Sequence, residues 1–208
     1  WALRDVKQAV TAHEILDDGR IHLTIEHRPL PGVTTEMLAW WYRVLPLGKV
    51  QFDGALRPLY HLFHPTEHGR IWVEEAAADG KPGVGAGGVV ARYEWFGPYD
   101  SEGAARVIEL SPRRFTRPRI AGVTLGELRH DWSDSPQGAT YTVDTVIGVD
   151  WPVVGPLVNL LLRRYVFSEG MLREWKRHQV EEVGLLPNFL PTLYAQRNDK
   201  HLYRLTEP

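Results

Sequence analysis

The sequence predicts an α+β fold in which a curved antiparallel sheet wraps around a long C-terminal helix. Two observations carry that expectation. Between about residues 50 and 150, short branched or aromatic runs are separated by glycine, proline or aspartate, the spacing of an antiparallel meander. From about Pro152 to Gln196 the composition turns helical. A sheet gripping such a helix encloses a cavity, and a fold of that kind serves enzymes and ligand carriers alike.

The elements follow in order. Residues 1–20 have helical composition and are expected to form an N-terminal helical appendage, with 21–208 as one domain. In IHLTIEHRPLPG (21–32), Ile21, Leu23 and Ile25 alternate with His22, Thr24 and Glu26, as in a half-buried strand; Pro29, Pro31 and Gly32 stop it. A helix over 33–46 is capped by Thr34 or Thr35 and ends at Pro46. Strands are expected in RIWVEEA, GVVARYEWFG, RVIELSP, TLGELRHDW and ATYTVDTVIGV, with ADGKPGVGAGG and SDSPQG as turns. The final helical third is weakened at Gly170 and closes near Gly184 and Pro187, with Leu157, Leu160 and Leu161 expected in the core.

With 208 residues, 43% of them hydrophobic, the chain can bury one sizeable core. A net charge of -2 gives no general attraction to nucleic acid or anionic lipid. No run reaches the roughly 18 apolar residues of a membrane span. Arg113, Arg114, Arg117 and Arg119 form a local basic run that reads as a solvated loop, because Pro112 and Pro118 bracket it. The absence of cysteine excludes disulfides, Cys-ligated zinc and thiol nucleophiles, and fits a cytoplasmic location.

Chemistry concentrates in YHLFHPTEH (60–68), where Pro65 excludes a helix interior. Metal sites of histidine and carboxylate need ligands on convergent faces. In REWKRHQVEEVG, His178 and Glu182 are four apart on one helix face, and His178 and Glu181 nearly so. Arg173, Glu174, Lys176 and Arg177 fit a plain surface face equally well. Alternation in GVVARYEWFG puts Val90, Arg92 and Glu94 on one side. A Glu94 facing the cavity needs a cation, which either Arg92 or a metal could supply.

These blocks together resemble the 2,4-diacetylphloroglucinol hydrolase family over roughly residues 33–195. The match lies in Tyr60 with its following His-Pro-x-x-His, the strand ending at Glu94, the HDW at 130–132 and, most specifically, HQVEEVGLLPNFLPTLY at 178–194. The resemblance implies a Bet v 1/START-like helix-grip fold and a zinc hydrolase that removes an acetyl group from a phenolic ring by breaking a carbon–carbon bond. It implies His68, Glu94, His178 and Glu182 as zinc ligands, Tyr60 and His130 as catalytic groups touching the substrate, and Tyr141 and Trp132 as further substrate contacts. His68 is preferred to His64 because it lies eight residues after Tyr60, as in the family pattern; His61 and His64 then flank the site. Glu74 and Glu75 stand as alternatives to Glu94, since the glycine-rich loop before it differs in length.

Such chemistry suits these residues. Zinc polarises a carbonyl and lowers the pKa of a bound water from about 15.7 towards 7. The departing ring carbon leaves as an enolate, and Tyr60 or His130 would protonate it, His130 lying nearer the useful pKa range. Trp40, Trp41, Trp95, Phe96 and Trp132 are candidates for an aromatic lining. The expected partner is a small acylated phenol, with no nucleic acid and no membrane; a homodimer is left open. The competing expectation is a metal-free carrier of a hydrophobic ligand. A purely structural zinc fits less well, because such sites favour cysteine.

Overall fold

The computed structural model describes residues 1–206 apart from 112, 121 and 200. In chain order the elements are β1 (Val10–Ile15), β2 (Ile21–Leu30), α1 (Thr35–Val44), β3 (Lys49–Phe52), β4 (Ala55–Pro58), α2 (Leu59–Phe63), β5 (His68–Glu75), β6 (Val89–Phe96), β7 (Tyr99–Glu109), β8 (Arg113–Ile120), β9 (Val123–Thr124), β10 (Gly126–Ser133), β11 (Ala139–Ile147), α3 (Gly155–Tyr165), α4 (Glu169–Ala195) and β12 (Leu202–Arg204). The main sheet runs β1-β2-β11-β10-β8-β7-β6-β5, with β9 paired to β8, and every pairing in it is antiparallel. A small sheet, β12-β3-β4, stands apart.

Helix α4 packs on both β2 and β6, strands well separated in the same sheet, so the sheet must curve around it. This is the helix-grip arrangement. Ser168 caps α4 by accepting from Met171 N–H at 3.3 Å, with Glu169 in the first turn. The helix continues through Pro187 and Pro191. Each proline costs about 3 kcal/mol in a helix interior, but Leu185, Leu186, Phe189, Leu190 and Leu193 are all buried there and offset it. At Gly184 a Cβ would lie 2.6 Å from Cβ of Arg4, so glycine lets the N-terminal segment cross the helix.

The strand at 21–30 and the helix capped by Thr34 follow the expected pattern: Ile21, Leu23 and Ile25 are buried, and Thr34 accepts from Met37 N–H. Four expectations need correction. The N-terminal segment is not helical; after one 3-10 turn at Val6–Gln8, β1 pairs with β2 from Val10↔Glu26 to Ile15↔Ile21, as its branched Val10, Thr11 and Ile15 favour. The arginine run is not a loop but strand β8, inserted between β7 and β10; Pro112 lies outside the described residues. The last third is two helices, broken at Val166–Ser168 rather than at Gly170. Leu157, Leu160 and Leu161 are exposed by 48–61%, because the buried face of α3 is supplied instead by Gly155 and Asn159. Among the described residues no helix is long and apolar enough to cross a membrane.

Candidate metal centre and its cavity

Helix α4 carries four buried polar residues in its middle, His178, Gln179, Glu181 and Glu182. Opposite them, α2 and the start of β5 bring Tyr60, His64, Glu67 and His68, all buried. The antiparallel register sets Glu94 of β6 directly across from His68. Local geometry and strand pairing thus collect candidate ligands from three elements.

His68, His178 and Glu182 converge. Nε2 of His68 lies 3.1 Å from Nε2 of His178 and 3.3 Å from Oε2 of Glu182, and His178 Nε2 is 3.7 Å from that same oxygen. Glu94 Oε2 approaches His68 Nε2 at 3.6 Å. Ligands bound tetrahedrally to zinc at about 2.0–2.1 Å would be about 3.3 Å apart, so the edges among His68, His178 and Glu182 match, whereas Glu94 lies outside that group.

The tautomers agree. Nδ1 of His68 faces the Tyr60 carbonyl oxygen at 2.8 Å, and Nδ1 of His178 faces Glu67 Oε2 at 2.8 Å. Both partners only accept, so each Nδ1 carries a hydrogen and each Nε2 turns a lone pair into the cluster. Two lone pairs at 3.1 Å require a cation between them, a proton or a metal ion. Burial disfavours a charged His178, but the Glu67 hydrogen bond and the charges of Glu182, Glu94 and Glu67 outweigh it and raise its pKa. His68 moves the other way: burial lowers its pKa, against the pull of Glu182.

A supporting layer lies behind the ligands. Glu67 also accepts from Gly97 N–H at 2.9 Å and from Arg177, and despite burial these bonds hold its pKa at about 2. His64 stacks on His178, centroids 4.5 Å apart, and its Nε2 faces Glu181 at 3.1 Å. His61 Nε2 bonds the Gly69 carbonyl oxygen at 2.7 Å. Glu181, turned to His64 and Arg177, is not in the cluster.

Glu94 has its own cation. Arg92 donates to Oε1 and Tyr60 to Oε2. Burial opposes the charge, but Arg92 foremost, then the two histidines, bring its pKa to about 2. Glu94 therefore stands at the edge of the three-residue cluster, approaching it at His68, as an ionised group that does not depend on a metal. Glu74 and Glu75 are exposed, and Glu75 pairs with Arg106.

The cluster borders a cavity between α4 and the sheet, into which Tyr60, Glu94, His130 and Glu182 all face. His130 Nδ1 lies 2.6 Å from Tyr141 OH, which in turn bonds Tyr42 OH. Burial, then Arg114 and His27, keep His130 neutral, and its Nε2 has no partner. Tyr60 stacks on His68 at 3.8 Å, and burial pushes its pKa up, as does the Glu94 charge.

Two expectations about the lining change. Tyr141 and Trp132 do not line the cavity: Tyr141 is fully buried behind His130, and Trp132 stacks on Tyr42. The aromatic walls are Tyr42, Tyr60, Phe63 and Trp175, not Trp40, Trp41, Trp95 or Phe96; Trp41 packs in the core, and Phe96 lines the adjoining cavity. Sequence reading assigned no role to Glu67, Tyr42 or Gln179, which donates to Glu182 Oε1 at 2.7 Å. Only the Glu-His pair inside HPTEH hinted at Glu67.

No family model matches the chain, and no curated protein matches it significantly. Solved structures do resemble it. Protein Ms6760 from Mycobacterium smegmatis superposes with a TM-score of 0.52 at 10% identity, over 86% of this chain and 98% of that one. The KanY protein (ms6282) gives 0.51 at 11% identity, over 91% and 99%. A START superfamily protein from Mycobacterium smegmatis fits more loosely, at 0.42 and 16% identity over 83% and 99%. At these identities the likeness is one of fold.

Proposed function

We propose that the chain is a zinc-dependent hydrolase acting on carbon–carbon bonds in ketonic substances, which removes the acyl group from a phenolic ring of the phloroglucinol type. The observation that carries this is the buried convergence of His68 Nε2, His178 Nε2 and Glu182 Oε2 beside an aromatic-walled cavity. Those three residues, with Glu94 beside them, would hold the zinc. When bound, it supplies Lewis acidity towards a carbonyl and a lowered pKa for water.

The chain's own groups do the rest. Tyr42, Phe63 and Trp175 bind a flat ring, and the apolar walls limit water. Glu94, held ionised by Arg92, accepts a hydrogen bond from the Tyr60 hydroxyl and so fixes it at the cavity edge. Overall one water is consumed. The acyl carbon gains its oxygen and leaves as a carboxylate, while the electron pair of the broken bond stays on the ring as an enolate. The ring carbon then takes a proton, for which His130 is the assigned donor: its Nε2 hydrogen passes to the carbon as the Tyr141 hydroxyl hydrogen moves to Nδ1, and the consumed water returns a proton to Tyr141.

The test is zinc content of protein purified without added metal, for wild type and His178→Ala, followed by carboxylate release from acylated phloroglucinols. Near-stoichiometric zinc that is lost in the variant, with turnover in the wild type alone, is the expected result. A wild type that takes up no zinc even when it is offered would refute the reading and leave a metal-free ligand carrier.

A further inference from the structure

The arginine run on β8 divides by strand alternation. Arg113 pairs with Glu109 and Asp131, Arg117 with Glu127, and Arg119 donates to the Gly122 carbonyl oxygen. Arg114 alone of the four turns into the cavity, where it lies over the Tyr42 ring at 4.9 Å. Among the described residues no carboxylate lies within ion-pair distance of it, and its buried Nε has no hydrogen-bond partner. The cavity's two carboxylates are already engaged, Glu94 by Arg92 and Tyr60, Glu182 by Gln179 and the histidines. Directly across the β8–β10 register stands His130, 2% exposed, whose Nε2 is likewise unpartnered.

Two unmatched polar groups on one aromatic-walled face describe the missing ligand atom. An unpaired guanidinium inside a cavity is costly, and an oxyanion relieves it with charge-assisted hydrogen bonds. In the tautomer in which Nδ1 accepts from Tyr141, His130 presents a hydrogen on Nε2 to the same oxygen. We infer that Arg114 and His130 form an oxyanion pocket that binds the ring as its phenolate and selects ionised over neutral phenols. The substrate's class rests on the function proposed above; the anion site does not.

Binding of 4-nitrophenol, whose anion alone absorbs strongly in the visible, tests this on the protein as purified. Below the free phenol's pKa, wild type should bind it with the phenolate band. Arg114→Met should lose the band and bind roughly tenfold to a hundredfold more weakly. Uncharged 4-nitroanisole should bind both within about twofold, at equal zinc content and an unchanged circular-dichroism spectrum. Arg114→Lys should restore part of the band. Binding of the neutral phenol by wild type, or a band that survives in Arg114→Met, overturns the inference. So does a band abolished by chelation with Arg114 intact, which would assign the anion to the metal. Benzoate displacing the phenol in an Arg114-dependent and preferential way would make the ligand an aryl carboxylate and overturn the phenolate assignment. A phenolate band in protein that takes up no zinc would refute the hydrolase while leaving the oxyanion pocket standing.

Discussion

Replacing Glu67 by glutamine keeps the side chain's shape and removes its charge, which isolates what the layer behind the ligands contributes. The carboxylate accepts from His178 Nδ1 at 2.8 Å, from Gly97 N–H at 2.9 Å and from Arg177. Arg177 retains Glu174 and Glu181 as partners, so little is lost on that side. The effect falls on His178. A hydrogen bond to a charged group contributes about 1.5–3 kcal/mol and a neutral one about 1. The change therefore costs about 0.5–2 kcal/mol in orienting and polarising the ring, or roughly 2- to 30-fold in zinc affinity. Competition against a chromogenic chelator measures this at fixed pH, with circular dichroism confirming the fold. A folded Glu67→Gln protein that binds zinc as tightly as wild type would refute the argument that Glu67 acts through His178.

Other outcomes follow from burial and charge. Arg92→Leu strands the buried Glu94 and should destabilise the protein by about 3 kcal/mol in urea melts, the low end for a broken buried pair because Arg92 is itself one-third exposed; a loss under about 1 kcal/mol would contradict it. In chelator-stripped protein, Glu67 and Glu94 sit at about 2 against 4.5 unfolded. Depressed carboxylates stabilise above their unfolded pKa, so this contribution is complete above pH 4.5 and drains away as pH falls towards 2. Melting temperature should fall across that window, and a flat profile would count against both pairings. Leu157→Ser and Leu161→Ser, on the exposed face of α3, should each change stability by less than about 0.5 kcal/mol, whereas Leu186→Ala in the core of α4 should cost about 2–5 kcal/mol.

What could be read in advance divides along physical lines. Strands with one dry and one wet face announce themselves: Ile21, Leu23 and Ile25 on β2, or Val143 and Thr145 against Thr142 and Asp144 on β11, follow the period of two. Strand β1 has no buried residue, and β8 carries arginine on both faces, so neither shows the alternation that marks a strand. The same holds at the site. His178 and Glu182 are legible because helical spacing alone makes them neighbours, and Glu94 because strand alternation groups it with Arg92. Glu67 reaching His178, 111 positions away, and Arg114 meeting His130 depend on which elements pack together, which no local period encodes. The consequence reaches function. The helical half of the candidate ligand set, His178 and Glu182, is written in local geometry, but the meeting with His68, the Glu67 charge behind it and the Arg114 cation in the cavity are properties of the assembled fold. A pattern of histidines and glutamates can therefore point to a metal, while the anion selectivity proposed for Arg114 could be inferred only once β8 takes its place beside β10.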